Sequence, residues 1–170
     1  MFGIGAAVAS LVGSYYGSAK GKREHPERSH GDKKKKTGLP PDKDEIIRIV
    51  EGQIARGKLE PSERSCPQCR SSFSLLRVHD IDIDCCMRCK SLWFDSGELQ
   101  LLTGLSRDVP SDGMTSRDSK HPCPVCGSPM QRRVFARGTN VLVEVCPDKH
   151  GVYMDGQMLR RAFAASRSAE

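Results

Sequence analysis

Three kinds of hydrophobic spacing divide the chain. Between Lys43 and Arg56 the apolar residues Ile46, Ile49, Val50 and Ile54 recur at i, i+3, i+4 and i+8, which puts them on one helical face. Asp42 or Asp44 can cap the start and Gly57 can end it, so an amphipathic helix is expected over 42–57. It should pack on the first module that follows or on a partner. From Ile81 to Asp84 isoleucine alternates with aspartate, the period of a half-buried strand. With FSLLRV before it, this predicts a β-hairpin. QRRVFA and VLVEV, separated by RGTN, predict a second one. Each hairpin is followed by a short aromatic-containing run, SLWFDSGEL and HGVYMDGQML. Asp95 and Glu98 have the spacing of a helix N-cap box, with Leu99 and Leu102 on the apolar side of the short helix it would start. The third spacing is at the beginning. Residues 1–19 are apolar and uncharged, and Gly5, Ala9, Gly13 and Gly17 recur every four residues. This is the small-residue face that lets membrane helices approach closely, though a flexible terminus has the same composition.

The hairpins are bracketed by cysteines. Cys66/Cys69 and Cys86/Cys89 are two C-x2-C pairs with 16 residues between them. Each pair forms a turn that can place two thiolates on one ion, and a hairpin that joins two such turns supplies the tetrahedral sulfur set that zinc prefers. The pattern then recurs. Cys123/Cys126 is followed after 19 residues by Cys146, and Cys86 to Asp95 and Cys146 to Asp155 are both nine apart. A hairpin turn can absorb the extra three residues without moving the ligands. Two copies make a tandem rather than a solenoid.

The repeat also chooses between Cys85 and Cys86, since only Cys86 keeps the nine-residue spacing. Cys85 is then a spare thiol, either a small buried hydrophobe or a redox-reactive group. In the second copy the position aligned with Cys89 is Lys149, which cannot ligate while charged. His150 follows it, and its longer arm can make up the shift. The expected ligands are therefore Cys66, Cys69, Cys86 and Cys89 for one Zn2+, and Cys123, Cys126, Cys146 and His150 for another. Four donors close a site, so both ions should be structural and no catalytic residue is expected.

Composition supports metal-dependent folding. Hydrophobic residues make up 37% of the 170 and aromatics 5%, too lean for a large core. Thiols at ligand spacing, rather than disulfides, point to a reducing compartment. The net charge of +6 is concentrated. Residues 20–36 carry eight Lys/Arg against three acids, and 37–170 carry 19 against 18. The 20–41 stretch reads as a disordered basic linker, able to meet acidic lipid or nucleic-acid phosphate. The module region lacks the field of a nucleic-acid reader. Should residues 1–19 insert in a membrane, the basic residues behind them would stay cytoplasmic and the modules would be cytosolic; otherwise the protein is cytoplasmic.

CPQC…DIDCCMRCKSLWFDSGEL resembles the transcription factor IIB-type zinc-finger (zinc ribbon) family, and the WFDSGEL stretch is its specific part. Lys90-Ser91 depart from the family's turn after the second cysteine pair, and Gln157-Met158 replace its Gly-Glu in the second copy. The resemblance implies zinc ribbons with rubredoxin-like knuckles and a zinc-binding role, and no reaction. The expected fold is thus two tandem zinc ribbons, each a β-hairpin plus a short C-terminal helix, at 64–103 and 121–165. A 104–120 linker joins them, and a protein partner is the expected binding target.

Overall fold

The computed structural model describes residues 42–109, 115–136 and 139–167, with no side-chain description at 115–117 and 167. The expectations for 1–19 and 20–41 lie outside the described residues.

Helix α1 spans Lys43–Arg56. The Asp42 carboxylate accepts the Asp44 N–H at 3.0 Å, and Gly57 closes the other end in the left-handed conformation that glycine adopts without strain. Ile46, Ile47 and Val50 are buried, with Ile49 and Ile54 packed at the margin. Strands β1 (Glu60–Ser65), β2 (Ser72–Val78), β3 (Ile81–Cys85) and β4 (Leu92–Asp95) follow, then helix α2 (Glu98–Thr103). The second half holds β5 (Thr115–Pro122), β6 (Pro129–Val134), β7 (Leu142–Val145), β8 (Gly151–Met154) and helix α3 (Met158–Arg167). Part of the expected 104–120 linker is therefore strand β5. Its Ser- and Asp-rich sequence has poor strand propensity, but β6 offers an open edge, and cross-strand pairing overrides propensity.

The register repeats between the halves. Ser74 pairs with Cys85 in the first hairpin, and Gln131 with Val145 at the same place in the second. The first hairpin closes on the two-residue turn His79–Asp80, with His79 at φ 54°. In the second, the Phe135 N–H bonds Val141 O at 2.7 Å, so the three additional residues lie in the turn beyond that bond and leave the ladder unchanged.

The two halves share one sheet. Its strand order is β1-β2-β3-β4-β8-β7-β6-β5, which reads the same outward from its centre when each strand is exchanged for its counterpart. At that centre β4 and β8 run antiparallel, with Leu92, Trp93, Phe94 and Asp95 opposite Met154, Tyr153, Val152 and Gly151. Trp93 and Tyr153 are counterparts in the sequence repeat and face each other, so a local two-fold passes between them. Gly151 is required there. A Cβ on it would lie 2.1 Å from Phe94 O, so no larger residue lets the strands pair.

Alternation sends β4 and β8 side chains to two cores. Leu92, Phe94, Val152 and Met154 join α1, Leu99 and Leu102 of α2, and Leu159, Ala162 and Phe163 of α3. Trp93 and Tyr153 point the other way, into a smaller cluster with Phe73, Met130 and buried cysteines. Both faces of the central strands are thus covered. Helix α1 joins the two halves: Gln53 hydrogen-bonds both the N–H and the carbonyl of Arg77 on β2, and Glu51 accepts from Arg160 of α3 at 2.8 Å.

Candidate metal centres

Every cysteine turn follows the same local geometry. The N–H of Cys66, Cys86, Cys123 and Cys146 donates to the carbonyl five residues on, at 2.8 to 3.1 Å. In the first three turns the residue four on, Arg70, Lys90 or Gly127, has φ of 61° to 75° and returns its N–H to the first cysteine. The fourth turn reaches the same closure differently. Lys149, three on from Cys146, takes the left-handed conformation, and its N–H bonds Cys146 O at 3.0 Å. The residue after it then points inward, and that residue is His150. The turn keeps its length while ligand and left-handed residue exchange places.

The structure gathers Cys66, Cys69, Cys86 and Cys89 into one group and Cys123, Cys126, Cys146 and His150 into another, with all donor atoms of each within 4.8 Å of one another. Sulfur separations are 3.5 Å for Cys66–Cys89, 3.3 Å for Cys69–Cys86 and 3.6 Å for Cys126–Cys146, and His150 Nδ1 is 3.3 Å from Cys146 Sγ. Disulfide sulfurs sit about 2.05 Å apart. Zinc–sulfur bonds of about 2.3 Å set a tetrahedral edge of about 3.8 Å. The donor sets fit zinc, one ion each, and all eight cysteines are free.

The thiols are unequal. In the first group the backbone and hydroxyl of Ser71 hold the Cys69 thiol down, while burial pushes Cys86 and Cys89 up. Burial also pushes Cys123 up. For Cys126 burial acts upward, but the Ser128 hydroxyl and backbone outweigh it, and the thiol is lowered. Cys85 is in neither group. It is fully buried in the larger core, and burial pushes its thiol up to about 11, so it packs as a small hydrophobe.

Residues 65–103 match the family described as transcription factor zinc-finger. Over this segment the chain is a zinc ribbon similar to that family's. No curated protein and no solved structure matches the chain. The ribbon's aspartate has a role that the N-cap expectation missed. Helix α2 is capped by Gly97, with no side-chain bond from that residue. Asp108 instead accepts the N–H groups of Gly97 and Gln100, both at 2.8 Å. Asp95 Oδ1 takes Trp93 Nε1 at 2.8 Å and Arg64 Nη1 at 2.7 Å, and the same Arg64 nitrogen reaches Asp84 Oδ2 at 2.8 Å. The zinc-ribbon tryptophan is thereby fixed over the metal group by a carboxylate tied to β1. The Asp95 N–H donates to Glu98 Oε2 at 2.9 Å, the one half of a capping box that survives. In the second half Asp155 Oδ1 accepts from Gln157 N at 2.8 Å, a local turn beside α3.

The second half also has a version of the Arg64–Asp84 pair. His121 Nδ1 lies 3.0 Å from a Glu144 carboxylate oxygen, and its ring stands edge-on to Tyr153 at 5.7 Å between centroids. The sequence contains the signal: Arg64 and His121 each stand two residues before the first ligand of their group, and Asp84 and Glu144 two before the third. Two more roles were missed because one partner of each, Cys66 for Ser91 and Gln68 for Tyr153, is distant in sequence. Ser91 Oγ lies 3.4 Å from Cys66 Sγ and 3.1 Å from Cys89 Sγ. The Tyr153 hydroxyl donates to Gln68 Oε1 at 3.0 Å, so a residue of the second half holds down the first turn of the ribbon.

Proposed function

We propose that this protein is a non-catalytic zinc-binding protein, in which two structural zinc ribbons build one rigid platform for a protein partner. The observation that carries this reading is the closed donor set. Each group supplies four protein ligands, which leaves an ion no position for water or substrate. Residues 121–165 are, on this reading, a diverged second copy of the ribbon, a view supported by the matching register and the centred strand order. Leu101 on α2 and Leu142 at the start of β7 are the exposed large hydrophobic residues among those described, and they are candidate partner contacts. Zinc-loaded protein should bind its partner without turning over any substrate. Zinc-dependent turnover by the purified protein would overturn the reading.

The charge distribution favours a second reading, nucleic-acid binding through residues 20–36, where the excess of basic residues is concentrated. Salt titration of DNA and RNA binding by the full chain and by a chain lacking residues 1–41 separates the two. Binding that survives the deletion assigns recognition to the ribbons; binding that disappears assigns it to the basic stretch. Tethering through residues 1–19 is a further part of the proposal, with the ribbons then in the cytosol. Among the described residues no helix is long and apolar enough to cross a membrane, and residues 1–19 lie outside them. Co-sedimentation with vesicles, with and without residues 1–19, tests it.

A further inference from the structure

The two metal groups are counterparts in the fold but not in their surroundings. In the first, Cys66 and Cys86 are buried and Cys69 and Cys89 half-buried; in the second, Cys126 is exposed. The Ser91 hydroxyl sits against two sulfurs of the first group. Its counterpart is Gly151, which has no hydroxyl and cannot acquire one, because a Cβ there would strike Phe94 O. The turn between Cys66 and Cys69 is held from across the sheet by the Tyr153–Gln68 hydrogen bond. The residue matching Gln68 is Val125, which packs in the smaller core and offers no polar atom. Finally, Asp148 places a carboxylate oxygen 3.5 Å from Cys126 Sγ and draws the Ser128 hydroxyl to itself at 3.3 Å. A carboxylate repels a thiolate, and here it shares the Ser128 hydroxyl with Cys126 rather than leaving it to the sulfur alone.

Hydrogen bonds to ligand atoms are worth about 10- to 100-fold in metal affinity. We infer that the second ribbon holds an exchangeable zinc ion, released through Cys126 to competing multidentate chelators, while the first ribbon retains its ion. In the exchange an incoming donor would bond to zinc as the zinc–sulfur bond to Cys126 breaks, and the sulfur would leave as a thiolate. The second ribbon then responds to the free-zinc level, and the first keeps half of the platform folded throughout. This rests on the reading that both groups hold zinc.

The test uses full-length, zinc-loaded protein exposed to EDTA, with iodoacetamide pulses, native mass spectrometry for zinc count and peptide mapping for alkylation. Two phases are expected, the first at least about tenfold faster. The one-zinc species should be alkylated at Cys126, Cys123 and Cys146 and protected at Cys66, Cys69, Cys86 and Cys89. Loss of both ions together, or of the first ribbon's ion first, overturns the inference and leaves the zinc reading standing. Protein isolated without zinc overturns both. Asp148→Asn is a surface change that removes the carboxylate charge; it should slow the first phase severalfold and leave the second unchanged. An unaltered first phase would refute the carboxylate's part in the release.

Discussion

Glu98 is the most informative residue to change, because its effect on stability runs opposite to that of an ordinary carboxylate. It is largely buried at the start of α2, and burial pushes its carboxyl up to about 8, with Asp95 and Asp84 adding to the shift and the Asp95 N–H opposing it. The folded protein therefore keeps a proton on Glu98 that the unfolded chain gives up near its ordinary value of 4.5. Folding binds a proton, so stability from this group is complete below about pH 4.5 and is lost as pH rises toward 8. Between pH 6 and 8.5 the loss is about 2.5 kcal/mol. Glu98→Gln keeps an oxygen for the Asp95 N–H and cannot ionise. Urea denaturation of zinc-loaded wild type and variant at the two pH values cancels the contribution of the metal thiols, which is common to both. The variant's advantage should grow by about 2.5 kcal/mol from pH 6 to 8.5. A constant difference, or one that shrinks, would show that Glu98 is ionised in the folded protein and would refute the argument.

The junction of the halves gives two more expectations. Gly151→Ala pushes a methyl into Phe94 O and should cost at least about 1–3 kcal/mol, read as a lowered Tm of the whole unit. Trp93→Ala empties the centre of the smaller core and leaves Asp95 without one of its donors; a loss of about 3–5 kcal/mol is expected by denaturant titration. Cys85→Ala should leave two zinc ions per chain, and peptide mapping after mild peroxide should find Cys85 unoxidised in the wild-type protein. Loss of an ion from the variant would make Cys85 a ligand.

The grouping of the eight candidate donors was legible because its constraints are local. A cysteine turn sets its own geometry within six residues, and the offset of His150 is absorbed inside one such turn by the left-handed Lys149. The hairpins were legible from alternation, and α1 from its helical period. What the sequence did not reveal depends on pairing between distant residues. Nothing near Trp93 announces that Tyr153 will stand opposite it, because an antiparallel pairing of β4 and β8 is written in shape and burial rather than in spacing. The all-apolar run Leu92–Phe94 was the available hint, since a strand buried on both faces needs a neighbour on each. Asp95 was misread for a related reason. Its spacing to Glu98 fits a cap, but Arg64, 31 residues earlier, binds its side chain instead. Strand β5 was read as linker because pairing with β6 outweighs its composition.

On the proposed reading, two zinc ions hold this small fold together without doing chemistry. Native mass spectrometry of the purified protein, followed by circular dichroism before and after complete chelation, tests it most directly. Two zinc ions per chain and loss of the folded spectrum on their removal are predicted. A metal-free chain, or one whose spectrum is unchanged once the ions are gone, would contradict it.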